Sequence, residues 1–251
     1  MNILGRLTDG DPVLVLSPHL DDAVLSCGAL LAAVADRCPV VVATVFTAAG
    51  PPPHTFAARR FLRGGDSGAL YAARRREDVD VLSALGVKPV HLGFPDALFR
   101  RRRLPGAAAR VLPELTHRYP TYRYDIARGR RARGDRTLVG EIAAAVGAHA
   151  AAARLILCPL GVGRHVDHLL VRDAGTRLPG RIVHYSDFPY DRHAAPDPAF
   201  LSRHRLKRQE WAHGIADKAD LIRGYRTQAG GLFPDGSIIP AAPEVYYVAD
   251  R

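Results

Sequence analysis

The chain has 251 residues, 47% of them apolar, and a formal charge of +10 at neutral pH. This length and composition suit one α/β domain with a substantial core, and no apolar run reaches the roughly 18 residues of a membrane span. The charge attracts anions, and much of it lies between Arg100 and Arg136, in runs such as Arg100-Arg101-Arg102-Arg103.

Cys27, Cys38 and Cys158 are odd in number and lack CxxC spacing, so they read as reduced thiols. No basic start with an apolar stretch behind it marks a secretory signal, and the expected location is the cytoplasm. Few aromatics interleave the arginines and no nucleic-acid motif appears, so nucleic acid is not the expected partner.

Pro12 to Leu16 is predicted as the first strand and Ala23 to Asp36 as the first helix. Between them lies Ser17-Pro18-His19-Leu20-Asp21-Asp22, one imidazole and two carboxylates at a strand's end. Val40 to Phe46 is a β-branched run typical of a parallel sheet buried on both faces. The segment Thr47 to Gly68, broken by Pro51-Pro52-Pro53 and Gly64-Gly65, reads as a long loop, with His54 exposed on it. Ala69 to Leu85 is predicted helical, ending at Gly86, with Arg74 and Glu77 one turn apart. Val87 to Leu92 is the third strand, leading into Gly93-Phe94-Pro95-Asp96-Ala97.

Arg100 to Arg136 reads as an irregular excursion over the carboxyl edge of the sheet, where Tyr122 and Tyr124 serve stacking or packing. Thr137 to Ala153 reads as one alanine-rich helix with Thr137 as N-cap. Leu155 to Pro159 is the fourth strand, followed by Gly161-Val162-Gly163-Arg164-His165-Val166-Asp167-His168. His168 to Arg177 reads as a helix and Ile182 to Tyr185 as a short strand with a loop from Ser186 to Tyr190. Trp211 to Tyr225 reads as helical and Pro243 to Val248 as the last strand. The fold class is therefore Rossmann-like: a mostly parallel sheet flanked by helices.

Two clusters of nitrogen and oxygen ligands at strand ends suit a metal that activates water. A helix cap would explain Asp21 or Asp22, but not both together with three imidazoles. The first strand lacks GxGxxG and GxxxxGK[ST] behind it, and no G-x-S-x-G elbow appears, which argues against a phosphate-loop protein and a serine hydrolase.

At these residues the chain resembles the LmbE/PIG-L family of zinc-dependent N-deacetylases. The likeness runs from about Pro12 to Tyr247, as one such domain spanning residues 1–251 with the arginine-rich excursion. It rests on Pro-His-x-Asp-Asp, the distal His-x-Asp-His, a Pro-Asp turn at Asp96, Tyr225-Arg226-Thr227-Gln228, and a closing Glu244-x-Tyr246. The resemblance implies His19, Asp22 and His168 as ligands of Zn2+, with Fe2+ as the alternative metal. It makes Asp21 the general base and His165 an imidazolium facing the oxyanion, with Asp167 holding that ring. It places Arg74 and Asp96 against the substrate, an acylated amino sugar or sugar-containing metabolite with an anionic form in view. Some members carry a Tyr two residues before the non-ligand His; Gly163 stands there instead. The Ser-Pro-His-Leu-Asp-Asp form is nearer the branch that tailors natural products and glycoconjugates. A metal-dependent amidase of a larger conjugate, or a nucleotide- or nucleic-acid-binding α/β protein, remain the alternatives at this point.

Overall fold

In the computed structural model, residues 7–102, 112–238 and 242–249 are described. Residues 103–111 of the arginine-rich excursion, Arg103 among them, lie outside that set.

Seven strands form one sheet in the order β3-β2-β1-β4-β5-β7-β6. These are β1 (Val13–Ser17), β2 (Val40–Ala48), β3 (Lys88–Pro95), β4 (Leu155–Pro159), β5 (Ile182–Tyr185), β6 (Leu206–Trp211) and β7 (Glu244–Ala249). The first five pair in parallel, and β7 runs antiparallel to both β5 and β6. The helices are α1 (Asp22–Ala35), α2 (Phe56–Leu62), α3 (Ser67–Ala84), α4 (Pro113–Thr116), α5 (Leu138–Ala145), α6 (Gly147–Ala152), α7 (Val166–Gly175), α8 (Pro198–Arg203), α9 (Lys218–Arg223) and α10 (Arg226–Leu232).

β1 and β4 are buried along their whole length because both faces of the sheet are covered. One apolar cluster gathers Leu14, Leu16, Phe46, Leu170 and Val171; the other, on the opposite face, gathers Val13, Val15, Leu30, Leu31 and Val248. The chain builds β2 and β3 outward from β1, then crosses to lay β4 on β1's other side. The loops after β1 and β4 therefore diverge around one crevice. In open α/β sheets such a switch point, at the carboxyl ends of the strands, is where ligands bind.

Several predicted elements differ. The Thr47–Gly68 segment is not irregular throughout: Thr55 Oγ1 accepts from Ala58 N and starts α2. His54 is half-buried rather than exposed, its ring edge-on to Phe99 with centroids 5.3 Å apart. The alanine-rich stretch is two helices, with Val146 closing α5 before Gly147 opens α6, and Thr137 makes no side-chain cap bond. Trp211 ends strand β6 instead of starting a helix, and the helix there begins only at Lys218. β6 is the sheet's edge, and its Lys207, Arg208 and Glu210 are exposed, as charges on an edge strand commonly are. Among the described residues no helix is long and apolar enough to cross a membrane.

Candidate metal centre and active-site cleft

Ser17 ends β1 and its hydroxyl accepts from Ala23 N, so the first turn of α1 is capped by Ser17 rather than by either aspartate. Asp21 occupies the N-cap position without a side-chain cap bond. The Asp22 carboxylate folds back instead. Its Oδ2 accepts from His19 N at 2.9 Å and lies 3.0 Å from His19 Nδ1. The same oxygen lies 3.3 Å from Nε2 of His168, which arrives from the first turn of α7. Two strand ends thus bring two imidazoles to one carboxylate oxygen.

The fit to a metal ion can be judged from His168. Its Nδ1 is held by Asp187 Oδ1 at 2.7 Å, while its buried Nε2 has no hydrogen-bond partner. One nitrogen is oriented by a carboxylate and the other left free, which is how a metal-ligating histidine is usually held. Asp187 is itself fixed by Gly161 N and Val162 N, which donate to its Oδ2. Ligand atoms of His19, Asp22 and His168 all lie within 4.8 Å of one another; His19, His165 and Asp167 form a second such group. Two imidazoles and a carboxylate suit zinc, which in hydrolytic sites keeps one position open.

Electrostatics separate the two adjacent aspartates. Burial alone would raise both. For Asp22 the neighbouring His168 and His19 prevail and hold it well below the usual carboxylate range. For Asp21 burial and the Asp22 charge prevail over Arg74, His19 and His168, and its pKa is pushed up to about 7. Burial opposes charge on His168 too, but Asp22 and Asp187 raise it to about 9. His19 is likewise raised well above its ordinary value, with Asp167 and Asp22 overcoming desolvation.

His165 differs from the expected imidazolium. Burial, then the charges of His19 and His168, drive its pKa well below the ordinary value, so the ring is neutral. Its Nδ1 accepts from Asp167 N at 3.3 Å, capping α7 and leaving the proton on Nε2. The Asp167 carboxylate does not hold His165, as expected from sequence. Its Oδ2 meets His19 Nε2 at 3.1 Å and Ala97 N at 3.1 Å, and its Oδ1 meets Arg100 at 2.5 Å. Arg100 is only 3% exposed and stacks over Phe46 and Tyr119, at 4.8 and 5.2 Å. One arginine of the basic run is thus an internal strut of the site. Its Nε also lies 3.2 Å from Asp135 Oδ2.

A cleft of about 440 Å³ opens over this cluster and is lined by His19, Asp21, Asp22, His165, Asp96 and Arg74, among others. Asp96 accepts from Leu98 N and from the buried Tyr71 hydroxyl, and its Oδ2 lies 3.7 Å from His19 Nε2. Glu77 is turned away from Arg74 and accepts from Thr227 N and Oγ1. Of the two tyrosines in the excursion, Tyr122 lines the cleft, while Tyr124 packs with Arg123 and Arg128 outside it. Gln228 Nε2 donates to Leu20 O and steadies the metal loop, and Tyr225 donates to the buried Asp78.

Sequence reasoning did not assign Asp187, Arg100 or Tyr190. Gly163 adopts φ +78°, and a Cβ there would stand 2.7 Å from Tyr190 Cβ and 2.8 Å from its Cγ. The Tyr190 ring fills the room that a side chain at 163 would take. It packs edge-on against His168 with centroids 5.4 Å apart and hydrogen-bonds Tyr122. The only hint in sequence was a loop at a strand end.

Fold and site together define an α/β protein with a His/Asp cluster able to hold a metal ion at the topological switch point of its sheet. Residues 14–178 match the family model for GlcNAc-PI de-N-acetylase, PIG-L, and the chain belongs to that family. It is 34% identical over 190 residues to the 2'-N-acetylparomamine deacetylase of Streptomyces fradiae. That match covers 74% of this chain but spans only 59% of the relative. A deacetylase from the teicoplanin biosynthesis pathway superposes with a TM-score of 0.73 at 26% identity, covering 96% of this chain and 98% of that one. The A40926 pseudoaglycone deacetylase Dbv21 gives 0.70 at 26% identity, with 97% and 98% covered.

Proposed function

We propose that the chain is a zinc-dependent N-deacetylase that hydrolyses the acetamide of an amino sugar or sugar-containing metabolite, in natural-product or glycoconjugate tailoring. The observation that carries this is the His168 imidazole, with Nδ1 held by Asp187 and Nε2 buried without a partner beside Asp22. The named deacetylase relatives support the same chemistry.

His19, Asp22 and His168 would hold the metal, which when bound supplies Lewis acidity for the acyl oxygen and lowers the pKa of water. Asp21 stands next to them with its carboxylate free of any cap bond. It takes the proton of the attacking water and returns it to the departing amine, the same group serving as base and then as acid. His165, neutral with the proton on Nε2, donates to the oxyanion that develops as the carbonyl is attacked. Asp167 acts through His19, keeping that ring in place with Arg100 behind it. Arg74 and Asp96, both on the cleft wall, meet the sugar portion. A cytoplasmic setting agrees with Cys27, Cys38 and Cys158, all buried and unpaired.

The test is acetate release from a panel of N-acetylated sugars, nucleotide sugars and glycosylated natural products, with and without chelator. Chelator-sensitive release from one class is expected, and Asp21→Asn should keep zinc while losing most of that release. Release that persists in the chelator, or full activity in Asp21→Asn, overturns the assignment.

A further inference from the structure

The excursion after β3 shapes a second concavity, apart from the cleft. It holds about 830 Å³, a volume typical of small-molecule sites, and among the described residues none lines both. Arg102, Arg118, Arg130, Arg131 and Arg133 line it against two acids, Asp125 and Glu141. The backbone presenting these arginines is tied down. Arg102 N donates to Thr116 O, Arg118 N to Arg100 O and Arg130 N to Asp125 O, at 2.7, 2.8 and 3.0 Å, and Arg133 opens a tight turn closed by Arg136 N. The Arg118 side chain is fixed too. Its Nε donates to Arg101 O at 3.0 Å, its Nη1 pairs with the buried Asp135, and a Cβ on Gly134 would stand 3.0 Å from its Cζ.

The acids in reach do not balance these arginines. Asp135 answers Arg118 but is shared with Arg100, and Asp173 answers Arg131 but is shared with Arg172. Asp125 and Glu141 bring two charges where Arg102, Arg130 and Arg133 bring three, and Asp125 already accepts from Thr121 N and Oγ1. Among the described residues, ion pairs at this wall reach Arg118 and Arg131 but none of those three. Residues 103–111, next in sequence, hold Arg103 and Arg110 and no acid. Like charges gathered round one concavity repel, and their field is focused inside it. An anion seated there relieves the repulsion. Each guanidinium fork takes two oxygens, so a lone carboxylate fills one fork, whereas the two tetrahedral halves of a diphosphate serve several.

We propose that this concavity is a second binding site, for a small molecule that carries a diphosphate group, with Arg102, Arg130 and Arg133 as its donors and Arg118 as the fixed wall behind them. The site goes beyond the deacetylase reading and does not depend on it. Its arginines bind and take no part in hydrolysis.

Calorimetry tests it, with inorganic phosphate, diphosphate and ADP as probes at constant ionic strength, the last separating a nucleotide from free diphosphate. Zinc-loaded and metal-free protein are titrated alike, which separates this site from capture of the anion by the metal. Diphosphate should bind one to one in both forms, about tenfold or more tighter than phosphate, and raised salt should weaken it. Tighter binding of ADP would support a nucleotide as ligand, and equal binding a diphosphate recognised by itself. Arg130 and Arg133 are exposed, so the double variant Arg130→Gln, Arg133→Gln should melt as the parent does. It should lose about tenfold to a hundredfold in diphosphate affinity, the range of charge-assisted hydrogen bonds. Glu141→Gln, which removes an opposing acid, should tighten binding, and Arg74→Gln in the cleft should leave it unchanged. No saturable binding of diphosphate or ADP, or an affinity unmoved by the double variant, overturns the proposal. So does a loss caused by Arg74→Gln, which would put the anion in the cleft. Oligonucleotides that bind more tightly with length while diphosphate does not bind would replace it with a nucleic-acid surface.

Discussion

Arg100 and Asp167 form a buried ion pair of 2.5 Å in which the arginine comes from a basic run and the aspartate from the His-x-Asp-His segment. Both are at most 3% exposed, and Asp167 also meets His19 Nε2. Removing one partner of such a pair leaves an unpaired charge, which costs about 3–5 kcal/mol. Arg100→Met should therefore lower stability by about that much in a denaturant titration. The double variant with Asp167→Asn should lose clearly less than the sum of the two single changes.

Metal affinity should depend on Asp187, although it is not a ligand. Asp187→Asn removes the carboxylate that orients His168, and zinc affinity should fall about tenfold to a hundredfold. Competition with a chromophoric chelator reads this directly. An unchanged affinity would mean that His168 keeps its ligating orientation without this carboxylate.

Zinc uptake should be proton-linked. His168 is raised to about 9 and His19 well above its ordinary value, so both carry protons at neutral pH before the metal arrives. Ligation needs the neutral rings. Apparent affinity should thus rise with pH up to about 9, and calorimetry in buffers of different ionisation enthalpy should show proton release at pH 7.

Asp21 predicts a stability effect of opposite sense to its catalytic one. Its folded pKa, about 7, lies above the model-compound value of 3.8. The folded metal-free protein therefore holds this proton more tightly than the unfolded chain does. The resulting stability is complete below about pH 4 and is lost as pH rises through 7. Asp21→Asn should raise metal-free stability at pH 8 by on the order of 2–4 kcal/mol and change it little below about pH 4. Thermal melts of the two proteins at both pH values check this.

The parts of the molecule that the sequence made readable are those where one local pattern decides. β4 and β5 fall at Leu155–Pro159 and Ile182–Tyr185 as expected, because each is a short apolar run between turn signals. The two ligand clusters were equally plain, since each follows such a run. β6 was hidden because Leu-Lys-Arg-Gln-Glu-Trp has no buried face to write an alternating pattern. Arg100 was hidden because nothing local distinguishes it from Arg101 and Arg102; only its meeting with Asp167 and Asp135, 67 and 35 positions away, sets it apart. The role of Asp167 was misplaced for the same reason. The resemblance set Asp167 against the His165 ring, but the helix turns the carboxylate toward His19.

Gly163→Ala should be poorly tolerated. The left-handed backbone costs about 1–2 kcal/mol for a residue with a Cβ, and the contact with Tyr190 adds overpacking of about 1–3 kcal/mol. Tyr190→Ala in the same chain should return the second part and not the first, a coupling that a double-mutant cycle in denaturant resolves.

The close approach of Gly163 and Tyr190 also bears on how this family diversifies. Two segments 27 positions apart compete for one volume beside His168, so they cannot drift independently. Across an alignment of relatives, a bulky residue at the first position should go with a small one at the second, and the reverse. The wall of the cleft would then have two interchangeable architectures, a side chain reaching in from the loop after β4 or one from the loop after β5. Passage between them would require a sequence in which both positions are small, leaving the cleft temporarily wider and open to larger substrates.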